Sequence, residues 1–143
     1  MTKVSELRPE FVEFIPANGE QGVIYISERF RTAMHLCCCG CGLEVITPLN
    51  PAKWSLRMHG GQVTLSPSIG NWSFPCRAHY WIERGRVRWA APMSENRISL
   101  VRHLDATAAA RVFEKEKVAP SLSPPPTRGL LAALTQWLQK LLH

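Results

Sequence analysis

Apolar, β-branched and aromatic residues fall in short runs separated by turn formers. Residues 11–15, FVEFI, and 23–27, VIYIS, predict two strands, with Pro16, Asn18 and Gly19 supplying the turn between them. Residues 28–36 predict a helical turn or a loop leading into a group of cysteines. LEVITPL, 43–49, predicts a strand that Pro48 ends. WSLRM and QVTLS, around Gly60 and Gly61, predict a hairpin, and HYWIE and RVRWA, around Arg84 and Gly85, predict a second. In the second hairpin the alternation puts Tyr80 and Ile82 on one face and His79, Trp81 and Glu83 on the other. Residues 66–76, SPSIGNWSFPC, are dense in Ser, Pro, Gly and Asn and predict a loop.

The pattern then changes. DATAAARVFEKEKV, 105–118, predicts a helix with Asp105 as its N-cap. APSLSPPPTRG is too rich in proline for helix and predicts a linker. At the C-terminus Leu130, Leu131, Leu134, Trp137, Leu138, Leu141 and Leu142 share one helical face. The expected organisation is a body over 1–118, a linker over 119–129 and an amphipathic helix over 130–143. The fold class is α+β: a small, mostly antiparallel β domain stapled by a zinc site, with a late helix and the C-terminal helix.

A chain of 143 residues supports one domain with a real core. Its 45% hydrophobic and 20% charged residues exclude a disordered chain. The net charge of +6 suits an acidic partner surface, nucleic acid or protein, without choosing between them. No apolar run reaches about 18 residues, so no membrane span is expected. The start is mixed and polar, unlike a signal peptide, so a cytoplasmic location with reduced thiols is expected. Five cysteines also cannot all pair within one chain.

HLCCCGCG, 35–42, holds four of those cysteines. Thiolates at Cys37, Cys39 and Cys41 are spaced by two, and Gly40 and Gly42 allow a tight turn that lets alternate sulfurs converge. Zinc takes four tetrahedral sulfur or nitrogen ligands, so the fourth would be Cys76, His79 or His35. With Cys76 the metal would staple the first half of the body to the Ser-rich loop. This spacing is not that of a zinc ribbon, and buried reduced cysteines are the plainer alternative. Cys38 points the other way in an extended segment and reads as a spectator.

TLSPSIGNWSFPCRAHYWI, 64–82, brings Ser66, Ser68, Ser73, Asn71, Cys76 and His79 into one loop and one strand start. Serine catalysis needs a hydroxyl, a base within reach and backbone donors for the oxyanion. Such serines are more often simple turn formers. A zinc-bound water, with a histidine replacing a thiolate and Glu44 as the nearest carboxylate, is a second possible chemistry, but no H-E-x-x-H pattern is present. Arg84, Arg86 and Arg88 surround Trp81 and Trp89, which suits single-stranded nucleic acid or an acidic protein surface as well as a solvated hairpin edge.

HLCCCGCG, the following tryptophan, TLSPSIGNWSFPC and HYWI together resemble a bacterial family, BubE, over roughly residues 20–92. The family has a proline where this chain has Cys38, and a small polar residue is expected where it has Ala78. The resemblance implies the protease component of operons of the phage-defence type, encoded beside E1-like, E2-like and ubiquitin-like proteins. It implies zinc on Cys37, Cys39, Cys41 and Cys76, a nucleophile at Ser66 or Ser68, His79 or His35 as base, and Asn71 orienting the base or binding the oxyanion. Ser68 ranks first, since it lies between Pro67 and Ile69–Gly70, where the backbone can turn sharply. The implied substrate is a ubiquitin-like protein or its conjugates, with no nucleic acid; its thin C-terminal tail could add to a sheet edge. Two alternatives stand beside this deubiquitinase-like serine peptidase. One is a zinc metallopeptidase with the same substrate. The other is a non-catalytic zinc module binding nucleic acid or a partner protein.

Overall fold

The computed structural model describes residues 2–50 and 53–118. It contains two four-stranded sheets and one helix. The first sheet is built in the order β1 (Arg8–Phe11), β2 (Val23–Ser27), β3 (Thr32–Leu36) and β4 (Glu44–Pro48). β1 runs parallel to β2, with Arg8 opposite Val23, and the other pairs are antiparallel. The second sheet is an antiparallel meander of β5 (Ser55–His59), β6 (Gln62–Gly70), β7 (His79–Glu83) and β8 (Arg86–Trp89). Helix α1, Glu95–Val118, follows. The mostly antiparallel β domain with one helix agrees with the α+β expectation.

The sheets share one core. Ile24, Ile26, Ala33 and Val45 of the first sheet cluster with Val63, Leu65, Ile69, Tyr80, Ile82 and Val87 of the second. Each large apolar side chain so buried contributes about 1.5–3 kcal/mol. The expected alternation on β7 is present: Tyr80 and Ile82 are fully buried, and His79 and Trp81 face away from that core. β2 shows no alternation, because Val23, Tyr25 and Met34 form a second cluster on the outer face of the first sheet with Val12 and Ile15. The N-terminal segment ties the sheets together, with Leu7 N–H donating to Gly85 O (2.7 Å) and Arg8 N–H to Gly22 O (2.9 Å).

Several expected boundaries are corrected. The first strand is Arg8–Phe11 rather than 11–15, since its pairing with β2 begins at Arg8. Residues 32–36 are a central strand, not a helical turn or loop, because they pair with strands on both sides. The Ser-rich stretch is strand as far as Gly70. The helix begins ten residues before Asp105, which lies within it; Ser94 sits at its start, its carbonyl accepting from Ile98 N–H (3.0 Å). The expected linker 119–129 and terminal helix 130–143 lie outside the described residues. By contacts the chain divides into two units, residues 1–112 and 113–143. Among the described residues the second unit holds only the end of α1, and both sheets and the start of α1 belong to the first. No described helix is long and apolar enough to cross a membrane.

Candidate functional site

Two loops bring the cysteines together. Between β3 and β4 the chain turns back within seven residues, with Cys37 N–H donating to Leu43 O (2.8 Å) and Gly40 N–H to Cys37 O (3.0 Å). Gly40 has φ +85°, and a β-carbon there would lie 2.6 Å from the Thr2 carbonyl oxygen, so only glycine lets the N-terminal backbone pass. Between β6 and β7 a second loop, closed by Asn71 N–H on Ala78 O (2.9 Å), carries Cys76.

The sulfurs of Cys37, Cys39, Cys41 and Cys76 all lie within 4.8 Å of one another. Individual separations are 3.4 Å for Cys37–Cys39, 3.8 Å for Cys37–Cys76 and 3.9 Å for Cys41–Cys76. These are far too long for a disulfide, whose S–S bond is about 2.05 Å. They match a tetrahedral site: four sulfurs about 2.3 Å from one zinc lie about 3.8 Å apart. The donor set therefore could hold a metal ion. Burial pushes the Cys37 and Cys39 thiols above their ordinary value; at Cys41 burial opposes, but the Leu43 backbone N–H and the neighbouring thiols bring the net shift below it. A bound cation would favour the thiolate at all four. Asn71 Nδ2 donates to Cys37 Sγ (3.3 Å). Cys38 is outside the group, fully buried, and burial pushes its thiol up to about 12, an inert state.

Ser68 and His79 meet on the other face of the second sheet. Ser68 Oγ lies 3.0 Å from His79 Nε2. A bulge produces this contact. Leu65 pairs with Ile82 and Ile69 with Tyr80, so β6 spends three residues, Ser66, Pro67 and Ser68, where β7 spends only Trp81. Such bulges re-aim side chains. The sharp turn expected at Ser68 is thus a bulge inside a strand, not a loop. Opposite His79 in the register sits Gly70. Burial lowers His79 below the ordinary histidine value. The pair opens on a cavity of about 530 Å³ lined also by Trp54, Trp72, Asp105 and Ala109. Sheet and helix wall it jointly, and the Arg77–Glu95 ion pair ties the β6–β7 loop to the start of α1.

The other expected residues are placed elsewhere. His35, fully buried on β3, has its Nε2 2.9 Å from Tyr80 Oη, and burial lowers it to about 4. Asn71 also donates from Nδ2 to Tyr80 Oη (3.5 Å), so it faces the thiol cluster. The structure therefore brings Ser68 and His79 together, and joins His35 and Asn71 through Tyr80 instead. Ser66 is exposed in the bulge. Sequence reasoning missed Trp72, whose ring lies 4.9 Å from that of His79, and Tyr80 as a hub. It also missed the helix wall of the cavity. The signal for Trp81 was present, since it follows His79 by two on one strand, whereas Trp72 lies in the turn after β6, where strand spacing gives no signal.

A family model described as "Bacterial ubiquitination-like system serine protease (BubE)" matches residues 11–90, a span that holds the four clustered cysteines, Ser68 and His79. Neither the comparison with curated proteins nor that with solved structures gives a match.

Proposed function

The chain belongs to the BubE family, serine proteases of bacterial ubiquitination-like systems, and on that basis we propose that Ser68 is its nucleophile and His79 its general base. The observation that carries this is the 3.0 Å approach of Ser68 Oγ to His79 Nε2 at the wall of a cavity large enough for a peptide segment. The substrate is a ubiquitin-like protein, cut after its C-terminal residue, either to mature it or to release it from a conjugate. Its extended tail would lie between the outer face of the second sheet and α1.

In the acylation step the Ser68 hydroxyl gives its proton to His79 Nε2 as Oγ bonds to the scissile carbonyl carbon. His79, now imidazolium, returns the proton to the leaving amine as the C–N bond breaks. Water then attacks the acyl ester, His79 takes a proton from it, and Ser68 regains its hydroxyl. This route needs Nε2 unprotonated at the start. Burial favours that state, since it lowers the imidazole below its ordinary value.

Cys37, Cys39, Cys41 and Cys76 would hold zinc. When bound, the ion supplies a crosslink between the β3–β4 and β6–β7 loops. Four thiolates would satisfy the four ligands that a structural zinc takes, so the metallopeptidase reading is the weaker one. Through Cys76, three residues before His79, such a crosslink would hold the start of β7. The test is hydrolysis of a fusion to the ubiquitin-like protein encoded in the same operon, by the wild type and by Ser68→Ala, Ser66→Ala and His79→Ala. Loss in Ser68→Ala and His79→Ala with retention in Ser66→Ala supports the assignment. Activity that survives all three overturns it.

A further inference from the structure

His79 has a partner on one ring nitrogen and none on the other. Its Nδ1 is buried without a hydrogen-bond partner among the described residues. In a serine hydrolase built on a triad, a carboxylate bonds that nitrogen, holds the tautomer and steadies the imidazolium. Here the ring instead lies against two indoles. Trp72 is 4.9 Å away between centroids at an interplanar angle of 59°, and Trp81 is 5.3 Å away at 39°.

The sequence is built to allow this. A β-carbon on Gly70 would lie 2.5 Å from Trp72 Cε2 and Nε1, so the missing side chain is what lets the indole reach across to His79. Trp81 is next on the same face of β7. The Arg88 guanidinium carbon lies 4.8 Å from its ring centroid, and Glu83 accepts from Arg88 at 2.8 Å. That carboxylate offsets the Arg88 charge, so the arginine covers Trp81 without adding a bare cation beside the histidine. Lys53 and Asp105 line the same cavity as His79.

We propose that Trp72 and Trp81 clamp the His79 imidazole, and that their ring faces stabilise the imidazolium formed during acylation, in the place of a triad carboxylate. Tryptophan offers the most favourable face for a cation, effective within about 6 Å of the ring centroid, and both indoles lie inside that range. They are positioning residues that act through His79. The proposal rests on the Ser68–His79 reading.

The experiment is fluorophosphonate labelling of Ser68 in the full chain, which needs no identified substrate. The phosphonyl centre takes the Ser68 oxygen, expels fluoride, and draws the same proton onto His79. The maximal labelling rate and the half-saturating probe concentration are measured for the wild type, Trp81→Leu, Trp81→Phe, Trp72→Leu and Trp72→Phe. Each leucine variant is expected to label about tenfold more slowly or worse. Half-saturation stays within about twofold for Trp81→Leu, since Trp81 does not line the cavity. Each phenylalanine variant recovers most of the rate, since it keeps an aromatic ring against the imidazole. Melting curves identify any variant that fails to fold, and Trp81, on the outer face, remains the test if Trp72→Leu does. Leucine variants that label at the wild-type rate, or phenylalanine variants as slow as leucine, overturn the clamp. Labelling that survives Ser68→Ala overturns instead the serine assignment beneath it.

Discussion

Cys76 Sγ lies 3.8 Å from Cys37 Sγ across a separation of 39 residues, joining the β6–β7 loop to the β3–β4 loop at one point. Since metal binding to such a cluster is folding free energy, the chain should bind one zinc and melt at a lower temperature once a chelator removes it. Cys76→Ser should lose the ion. Cys38→Ala, whose thiol lies outside the cluster, should keep it and show only a packing cost. Metal content by atomic emission, with thermal melts on the same samples, checks both. Full zinc in Cys76→Ser would contradict the ligand set.

The pH dependence has a definite sign. Burial places the His79 value below the ordinary 6.5, so the base stays neutral and competent as pH falls through 6.5. The acidic limb of kcat/KM should therefore be centred below 6.5 and descend towards lower pH. The same shift affects stability: a histidine depressed in the folded state favours folding above its unfolded value, and that contribution is lost as pH falls between the two values. A limb centred above 6.5 would contradict the desolvated base.

Tyr80→Phe removes a hydroxyl shared by three groups. Its oxygen lies 2.9 Å from His35 Nε2 and 3.5 Å from both Cys38 N and Asn71 Nδ2. His35 Nδ1 already has no partner among the described residues, so the variant would leave that ring without a hydrogen bond. The expected cost is about 1–3 kcal/mol, read as a lower midpoint in urea with an unchanged slope. An unchanged midpoint would show the network to be dispensable.

Gly70→Ala places a methyl where the Trp72 indole lies. Overpacking of this kind costs about 1–3 kcal/mol. The indole must shift, so turnover should fall more than substrate affinity. Stability melts and steady-state kinetics on the same variant separate the two effects. Wild-type kcat in a folded Gly70→Ala would mean that the placement of Trp72 against His79 is immaterial.

Local pattern was enough for some of this and not for the rest. VIYIS, 23–27, carries enough β-branched bulk to be read as strand, and it is β2 residue for residue. The period-two alternation of HYWIE put Tyr80 inward and His79 outward correctly. Two hairpins followed from their turn glycines. The Ser-rich stretch misled because proline, serine and glycine are turn formers on average, whereas here they are a bulge held by strands on both sides. TAMHL, 32–36, is strand through pairing with β2 and β4, a tertiary effect that a local window cannot show. At the site, cysteine spacing made the cluster visible, and three thiols could be placed before the fourth. Whether His35 or His79 faces a serine depends on which sheet face each occupies, and that needs the register. The part of α1 that walls the cavity, Val101 to Ala109, lies beyond the matched span; a helix was legible over 105–118, but its approach to the Ser68–His79 face is a tertiary contact that a local window cannot show.

The central claim is that Ser68 is made nucleophilic by His79. Its most direct test is cleavage of a fusion to a bacterial ubiquitin-like protein, followed with time at pH 7 for the wild type, Ser68→Ala and His79→Ala, with zinc content measured on each. The account predicts that each substitution lowers kcat by about a thousandfold or more while the metal and the fold are retained. Cleavage by zinc-loaded Ser68→Ala at the wild-type rate would contradict it.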